Sequence, residues 1–448
     1  MVTIETACTR AQDIVAAAKA AGADAADAVF SADAATDVSV RLGKLEDVGR
    51  AENAELGLRV FVGRRSASVS TSDFSAGATA ALVDRAMAMA REAPEDEWAG
   101  LAPADKLMRG DAPLLDLDDG GDVSAEALKA AALEAEDAAR AVPGVTNSEG
   151  GSASAARGVT ALATSHGFTG GYIASSHGIS ASVLAGAGSA MERDYAYHSA
   201  RHRTDLDPAD AIGRRAGERA VARLNPGRLD SGAMPVVFDP RVGNSLLGHL
   251  LGAIAGAAIA RKTSFLLDAL GTAVFGADVT IMDDPLRQRG LRSRPFDGEG
   301  LPVGPAALVT GGVLNTWLLD SASARQLGLA PTGHAARGGA GAPGVSASNL
   351  HMAAGALTRD ALIGGIRRGV YVTELIGMGV NGVTGDYSRG ASGFLIVDGA
   401  IAGPVSEFTI AGNLRDMFRA AVPADDLVLR YGINVPTLLV EGMTVAGG

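Results

Sequence analysis

The segment Leu395-Ile396-Val397-Asp398-Gly399 joins an apolar strand to a tight-turn dipeptide, and it decides the fold class of the C-terminal half. An Asp-Gly pair next to apolar strand residues predicts a β-hairpin, because both central residues of the favoured turn need positive φ angles. Gly311-Gly312 is a second hairpin signal in the same half. From Met234 onward we therefore predict a large β-rich domain with hairpins. Its few helices are predicted at residues 243–260, 321–327, 358–366 and 413–420.

Outside this domain, longer helices flank groups of strands. The first group has helices at 5–21 and 77–92, with strands at 37–42, 56–62 and 66–71 between them. Ser124 is predicted to cap a helix that runs to residue 142, and strands follow from 145 to about 203. Asp207 is predicted to cap a further helix whose first residue is Pro208.

Three domains are expected from the chain length of 448 residues and from two loop-forming segments. Residues 101–122 combine proline, glycine and six aspartates in a linker candidate, and Asn225-Pro226-Gly227 is a second loop-forming segment. We predict an N-terminal α+β domain at 1–110, a middle α+β domain at 111–227 and the C-terminal β-rich domain at 228–448. Because no regular strand–helix–strand alternation supports a doubly wound sheet, the fold class is α+β, with N-terminal α/β units preceding the β-rich domain.

The composition favours a cytoplasmic protein that binds neither nucleic acid nor membrane. A formal net charge of −12 does not provide the basic face that phosphate binding requires. Cys8 is the single cysteine, which excludes a disulfide framework and fits a reducing compartment. The N-terminus lacks the apolar core of a signal peptide. Residues 243–260 are nearly apolar enough for a short membrane span, but Asn244 and His249 within them favour a buried helix.

This helix should pack closely against a neighbouring element, because small residues recur on it at intervals of four. They are Gly248, Gly252 and Gly256. The same spacing promotes close helix contacts in membranes, so it does not by itself distinguish the two environments.

Motifs that could carry chemistry are weak. Residues 377–382 match G-x-G-x-x-G, but a loop-like stretch follows where a dinucleotide site needs a helix. His198 and His202 would lie about 13 Å apart on a strand, too far for one metal ion. On a helix they would be one turn apart, but no H-E-x-x-H glutamate lies between them. There is no G-x-S-x-G segment. From the residues alone, the protein has no evident catalytic constellation.

Five stretches of the C-terminal half, in the same order, resemble the TldD/PmbA family, and the agreement is closest to its PmbA (TldE) branch. The N-terminal third fits only by general pattern. The five stretches are Ser245-Leu246-Leu247-Gly248-His249-Leu250-Leu251-Gly252-Ala253-Ile254, Arg261-Lys262-Thr263-Ser264-Phe265-Leu266, Arg294-Pro295-Phe296-Asp297-Gly298-Glu299-Gly300, Leu318-Leu319-Asp320-Ser321-Ala322-Ser323-Ala324-Arg325-Gln326-Leu327-Gly328, and the segment from Glu374-Leu375-Ile376-Gly377 to Gly390.

The resemblance implies that the catalytic metal site of the family is lost from this chain. In the TldD branch the corresponding helix reads H-E-x-x-x-H, its histidines bind zinc, and a cysteine near the C-terminus completes the site. Here the two ligand positions are Gly248 and Ala253, and the glutamate position is His249. Glycine and alanine cannot coordinate a metal, and Cys8 lies at the other end of the chain. We therefore expect no catalytic residue and no metal site in this chain, with zinc in a TldD partner.

The resemblance further implies a complex with a TldD-type catalytic subunit that cleaves unfolded peptides within a cavity. Whether the chain also forms a homodimer when alone is left open. Six residues in glycine-rich turns are predicted to face the cavity or an interface: Arg294, Asp297, Glu299, Asn381, Asp386 and Arg389. Two alternatives remain: a stand-alone metallopeptidase with an unrecognised site such as His198 and His202, and a regulatory or binding protein of the gyrase-modulator type.

Overall fold

A computed structural model describes residues 2–447 and has the predicted α+β class. In chain order, the elements of the N-terminal half are α1 Ile4–Ala20, β1 Ala25–Arg41, β2 Lys44–Val62, β3 Arg65–Thr71, α2 Ala76–Glu92, α3 Ala125–Arg140, β4 Val145–Thr164, β5 Thr169–Ala185, β6 Glu192–Ala200 and α4 Ala209–Ala222.

One antiparallel six-stranded sheet, in the order β3-β2-β1-β4-β5-β6, runs through both predicted N-terminal domains. Helices α1 and α2 pack on β1, β2, β3 and part of β4, and α3 and α4 pack on β4, β5, β6 and part of β1. The strands are much longer than predicted, and β1 alone spans 17 residues where only 37–42 were expected. Its alanine- and aspartate-rich sequence has little strand propensity, so pairing with β2 and β4 on both sides decides its length.

The two predicted helix caps have different outcomes. The Ser124 hydroxyl accepts a hydrogen bond from the Ala127 amide, so the cap of α3 is confirmed. The prediction for α4 is wrong, because Pro208 occupies the cap position and no side chain caps this helix. The Asp207 carboxylate instead accepts hydrogen bonds from Arg215 and Arg430, and the latter lies in the C-terminal domain. A long-range ion pair has replaced the local cap.

The linker candidate, residues 101–122, contains no helix or strand but packs against the protein. Leu115 and Leu117 are buried, and the Leu117 carbonyl accepts a hydrogen bond from the Ser175 amide. The Asp118 carboxylate accepts a hydrogen bond from Arg157 at 2.8 Å. Asp118 therefore holds the segment against β4, and Leu117 holds it against β5.

The C-terminal domain contains the remaining elements. They are β7 Gly232–Phe238, α5 Pro240–Ala253, α6 Gly256–Ala260, β8 Ile281–Asp283, β9 Ala306–Thr310, β10 Val313–Leu314, α7 Ser321–Leu327, β11 Ala335–Ala336, β12 Gly344–Val345, β13 Leu350–Met352, α8 Arg359–Gly364, β14 Arg368–Ile376, β15 Asp386–Val397, β16 Ala400–Asn413, α9 Leu414–Ala420, β17 Ala421–Pro423, β18 Ile433–Asn434 and β19 Leu438–Ala446.

The β-rich character of this domain is confirmed. Its larger sheet has the order β16-β15-β14-β7-β19-β17, and an additional β16–β19 pairing closes it on itself. A second sheet has the order β10-β9-β8-β13-β18. Both hairpins form where predicted, with positive φ at Asp398, Gly399, Gly311 and Gly312, as the turn requires. Helix α5 packs into the largest hydrophobic core, which lies in this domain.

The single helix predicted at 243–260 is wrong in two respects. Helix α5 starts earlier, at Pro240. The helical conformation is interrupted at Ala255, before the short helix α6 begins. A Cβ at Gly256 would overlap the Ser323 side chain, as the close-packing prediction requires. Gly248 and Gly252, however, are exposed, and a Cβ on either would meet nothing within 4 Å. No helix within residues 2–447 is long and apolar enough to cross a membrane.

A buried ion cluster joins the N-terminal sheet to the C-terminal domain. Asp27 on β1 is only 2% exposed and is paired with Arg59 on β2. A guanidinium nitrogen of Arg337, which follows β11, lies 2.7 Å from the same carboxylate. Burial would raise the pKa of Asp27, but the two guanidinium groups outweigh it and lower that pKa. The two halves of the protein are therefore connected by a buried, desolvated ion cluster.

Candidate functional site

Helix α5 contains the positions that the resemblance to the TldD branch assigns to zinc ligands. The Asp239 carboxylate caps the helix by accepting a hydrogen bond from the Arg241 amide, and Pro240 occupies the first turn. Gly248 faces open space, His249 is half-buried, and Ala253 is buried in the hydrophobic core. The three positions are therefore not equivalent in their access to a ligand.

The donor set at these positions does not fit a zinc ion. Gly248 and Ala253 have no donor atom, which leaves the His249 imidazole as one ligand where catalytic zinc usually has three protein ligands. Cys8 lies on α1, against the core of the N-terminal sheet. Within residues 2–447, no three His, Cys, Asp or Glu side chains are grouped so that they could hold a metal ion.

His249 lies instead beside Tyr387 and Arg389, which share one face of β15. The His249 and Tyr387 rings meet edge to face, with centroids 6.0 Å apart. Burial, and then the charge of Arg389, lowers the pKa of His249, so the neutral imidazole is favoured. Burial also raises the pKa of Tyr387 to about 12, which keeps its hydroxyl protonated. The group can therefore donate and accept hydrogen bonds at neutral pH without changing its charge.

Several polar atoms of this group are shielded from solvent and have no hydrogen-bond partner within residues 2–447. They are His249 Nε2, Tyr387 OH and Arg389 Nε. A fourth atom of this kind is Thr373 Oγ1, on the neighbouring strand β14. A buried polar atom without a partner loses its hydration and gains nothing in return. Four such atoms on adjacent elements make this region a candidate binding site.

A cavity of about 320 Å³ opens beside this group, between the first turns of α5, the end of β14 and strand β6. Thr373 and Arg389 line it, together with Asn244, Ser245 and further charged residues. The charged residues are Arg193, Asp194, Arg223, Arg241 and Glu374.

Most charges in the cavity are paired with one another. Arg241 donates to both oxygens of the buried Asp194 carboxylate, at 2.7 and 3.0 Å. Burial would raise the pKa of Asp194, but Arg241 and Arg223 together outweigh it and the pKa is lowered. Arg223 also lies 2.6 Å from Glu374. The cavity wall is therefore a fixed ionic framework with space at its centre.

Three of the six predicted site residues, Asn381, Asp386 and Arg389, belong to one segment of the chain, and only Arg389 is in contact with this cavity. Arg389 lines it directly. Asn381 and Asp386 are exposed and stabilise their own loop: the Asn381 side chain accepts from the Val383 amide, and Asp386 accepts from the Thr384 hydroxyl. The hydrogen bond from Thr384, together with one from Asn413, lowers the pKa of Asp386.

The other three lie elsewhere and make internal contacts. Asp297 is buried and accepts from the Glu299, Leu301 and Ala335 amides. Arg294 donates to the Ala335 and Ser346 carbonyls, both at 3.0 Å. Burial raises the pKa of Asp297, and it raises that of Glu299 to about 7. None of the three lines the cavity beside α5, so the structure divides the six residues into two groups.

His198 and His202 do not converge on a common point. The His198 ring accepts a hydrogen bond from the Asp207 amide, whereas the His202 ring lies 3.2 Å from the Asp116 carboxylate. His198 therefore lies beside the Asp207 carboxylate and His202 beside the Asp116 carboxylate.

Sequence reasoning missed Tyr387 and Thr373 as members of the site. Tyr387 could have been found, because it precedes Arg389 by two residues and strand alternation places both on one face. Thr373 is the extra residue of a β-bulge in β14, opposite Ser392 and Gly393. Bulges re-aim side chains next to functional sites, but the local sequence carries no signal for this one.

Comparisons with known proteins agree with this architecture. The PmbA/TldA metallopeptidase family matches the chain in three parts: its domain 1 at residues 26–90, its central domain at 118–224 and its C-terminal domain at 231–447. A relative named metalloprotease PmbA, from Escherichia coli O157:H7, is 40% identical over 95% of this chain and 92% of its own length. A metalloprotease PmbA homolog from Haemophilus influenzae is 38% identical over 95% of this chain and 93% of its own.

The solved structures include a protein from Bacteroides thetaiotaomicron described as a modulator of DNA gyrase. It superposes with a TM-score of 0.91 at 28% identity, and the match covers all of both chains. Full-length agreement in both sequence and structure shows that this chain belongs to the PmbA/TldD metallopeptidase family, on its PmbA branch.

Proposed function

We propose that this chain is the non-catalytic subunit of a two-component TldD/TldE-type zinc metallopeptidase that cleaves unfolded peptides in the cytoplasm. In this proposal the zinc and the catalytic residues belong to a TldD-type partner. The present chain forms part of the cavity wall and holds the peptide.

The observation that carries the proposal is the donor set of α5. A family of metallopeptidases needs metal ligands, and the corresponding positions here are an exposed glycine, Gly248, and a core alanine, Ala253. His249 occupies the position of the glutamate, but without metal ligands at Gly248 and Ala253 there is no metal-bound water for it to activate, and its lowered pKa makes the imidazole a weaker base. The unpartnered polar atoms beside His249 support a binding role for the same region.

The test compares this chain, a TldD-type catalytic chain and their mixture in a peptidase assay with an unfolded peptide, after gel filtration. We expect the two chains to co-elute, and the mixture alone to cleave efficiently and in a chelator-sensitive manner. Hydrolysis by this chain alone at the rate of the mixture would instead establish a stand-alone metallopeptidase. If neither the chains nor the mixture cleave, a binding or regulatory role of the gyrase-modulator type is favoured.

A matched variant separates missing ligands from a missing partner. Gly248→His, His249→Glu and Ala253→His together rebuild the family motif on α5. We expect this variant to remain inactive alone, because it lacks the third ligand and because a histidine in place of the buried Ala253 overpacks the core, at a cost of about 1–3 kcal/mol. Chelator-sensitive cleavage by the variant alone would show that the helix change was the only obstacle.

A further inference from the structure

We propose that the cavity between α5, β14 and β6 binds a carboxylate group of the peptide, with Arg389 as its main contact. This inference rests on the proposed function, since it takes the peptide as the ligand. It adds which chemical group of the peptide is recognised and which residue recognises it.

The first argument is the charge pairing within the cavity. Four arginines and two carboxylates line it. Arg241 is paired with Asp194, Arg223 with Glu374, and Arg193 with Glu149 at its rim. Arg389 has no carboxylate within ion-pair distance in residues 2–447, although it is half-buried and its Nε has no hydrogen-bond partner. A partly desolvated guanidinium with no counter-ion favours an incoming anion.

The second argument is the set of hydrogen-bond donors beside Arg389. Thr373 lines the cavity, is 7% exposed, and its hydroxyl has no partner within residues 2–447. The β-bulge at this residue takes its side chain out of the regular alternation of β14. Asn244 and Ser245 line the same cavity from the first half of α5. A planar guanidinium and a hydroxyl in the wall of one cavity can both donate to the oxygens of a bound carboxylate.

The third argument is selectivity against other groups. The acidic residues of the wall are held by their own arginines, so a cationic side chain finds no free carboxylate there. The cavity volume of about 320 Å³ suits the end or a side chain of an extended peptide and is too small for a folded domain. The carboxylate can come from the C-terminus of the peptide or from an aspartate or glutamate side chain.

The experiment measures binding of fluorescent unfolded peptides to the full chain by anisotropy. The first peptide has a free C-terminal carboxylate and no acidic side chain, the second is its C-terminal amide, and the third is the amide with one internal aspartate. We expect the first to bind roughly tenfold more tightly than the second. Recovery of affinity by the third assigns the preference to any carboxylate; no recovery assigns it to the C-terminus.

Variants connect this preference to the residue. Arg389→Gln should abolish the preference for the free acid, and Arg389→Lys should keep part of it, because the charge remains but the bidentate fork is lost. Arg50→Gln, in an exposed ion pair with Glu52 on β2, should retain it fully. Thermal melting verifies that each variant is folded.

The proposal is overturned if the free acid and the amide bind equally, or if Arg389→Gln keeps the preference. Failure of the proposed function is a separate result. If the mixture with the catalytic chain cleaves both peptides with equal KM, the two-component peptidase stands and the carboxylate contact falls. If the chain binds the free acid selectively but the mixture cleaves nothing, the binding site stands and the peptidase role falls.

Discussion

The buried Glu299 side chain should make the free energy of unfolding depend on pH. It is 5% exposed, and burial together with the neighbouring Asp297 and Asp320 carboxylates raises its pKa from 4.5 to about 7. Because the folded state holds the proton more tightly than the unfolded chain, this residue stabilises the fold at low pH. The contribution is lost as the pH rises from 4.5 to about 7, and by linkage it amounts to roughly 3 kcal/mol at most.

Glu299→Gln should therefore leave stability nearly unchanged at pH 5 and increase it at pH 8, by roughly 1–3 kcal/mol. The glutamine oxygen can still accept the hydrogen bonds that Ser321 now donates to the carboxylate. Urea unfolding of both proteins at pH 5, 6, 7 and 8 measures the difference, with the exposed Glu52→Gln as a control whose difference stays flat. A Glu299→Gln effect that does not change with pH would contradict the assigned environment.

Two buried tyrosines in the C-terminal domain test whether the unpartnered hydroxyl of Tyr387 serves stability. Tyr387 OH has no partner within residues 2–447, whereas Tyr371 OH donates to the Asp239 carboxylate at 2.7 Å. Tyr387→Phe should be neutral or stabilising by about 1 kcal/mol, because it removes an unsatisfied buried group, and Tyr371→Phe should cost about 1–3 kcal/mol. Urea midpoints decide this. A comparable loss in both variants would mean that Tyr387 has a structural partner.

At the scale of elements, two helix glycines should respond in opposite directions to the same substitution. A Cβ at Gly213 of α4 would overlap the Ala135 carbonyl of α3, whereas a Cβ at Gly248 of α5 would meet open space. Gly213→Ala should cost about 1–3 kcal/mol by forcing the helices apart. Gly248→Ala should stabilise the protein by about 0.5–1 kcal/mol through helix propensity. Thermal unfolding of both variants measures this, and a loss of stability in Gly248→Ala would show that an element packs on α5 there.

At the scale of the whole molecule, the Asp27 cluster holds the N-terminal sheet to the C-terminal domain. Asp27→Asn leaves Arg59 and Arg337 buried without a counter-ion, which should cost about 3–5 kcal/mol. Glu52→Gln breaks the exposed pair with Arg50 and should cost less than about 1 kcal/mol. Denaturant unfolding with probes in each half tests the cluster. If the Asp27→Asn variant is as stable as Glu52→Gln, other contacts hold the halves together.

The sequence by itself determined the features whose physical cause is local. The turns at Asp398-Gly399 and Gly311-Gly312 follow from residues that tolerate positive φ, and the start of α3 follows from the Ser124 hydroxyl. The family followed from the order of side chains along the chain, and with it the expectation that the metal ligands are missing at Gly248 and Ala253.

Only the tertiary structure decided the features that depend on partners distant in sequence. The 17-residue length of β1 depends on its pairing with strands β2 and β4. Asp207 does not cap α4 because its carboxylate forms an ion pair with Arg430. The candidate site requires α5, β14 and β15 close together, which brings Arg389 near His249 and places Arg389 and Thr373 in one cavity wall. Local propensities encode the direction of a turn or the start of a helix. They do not encode which buried polar group is left without a partner, because that depends on every element that packs around it.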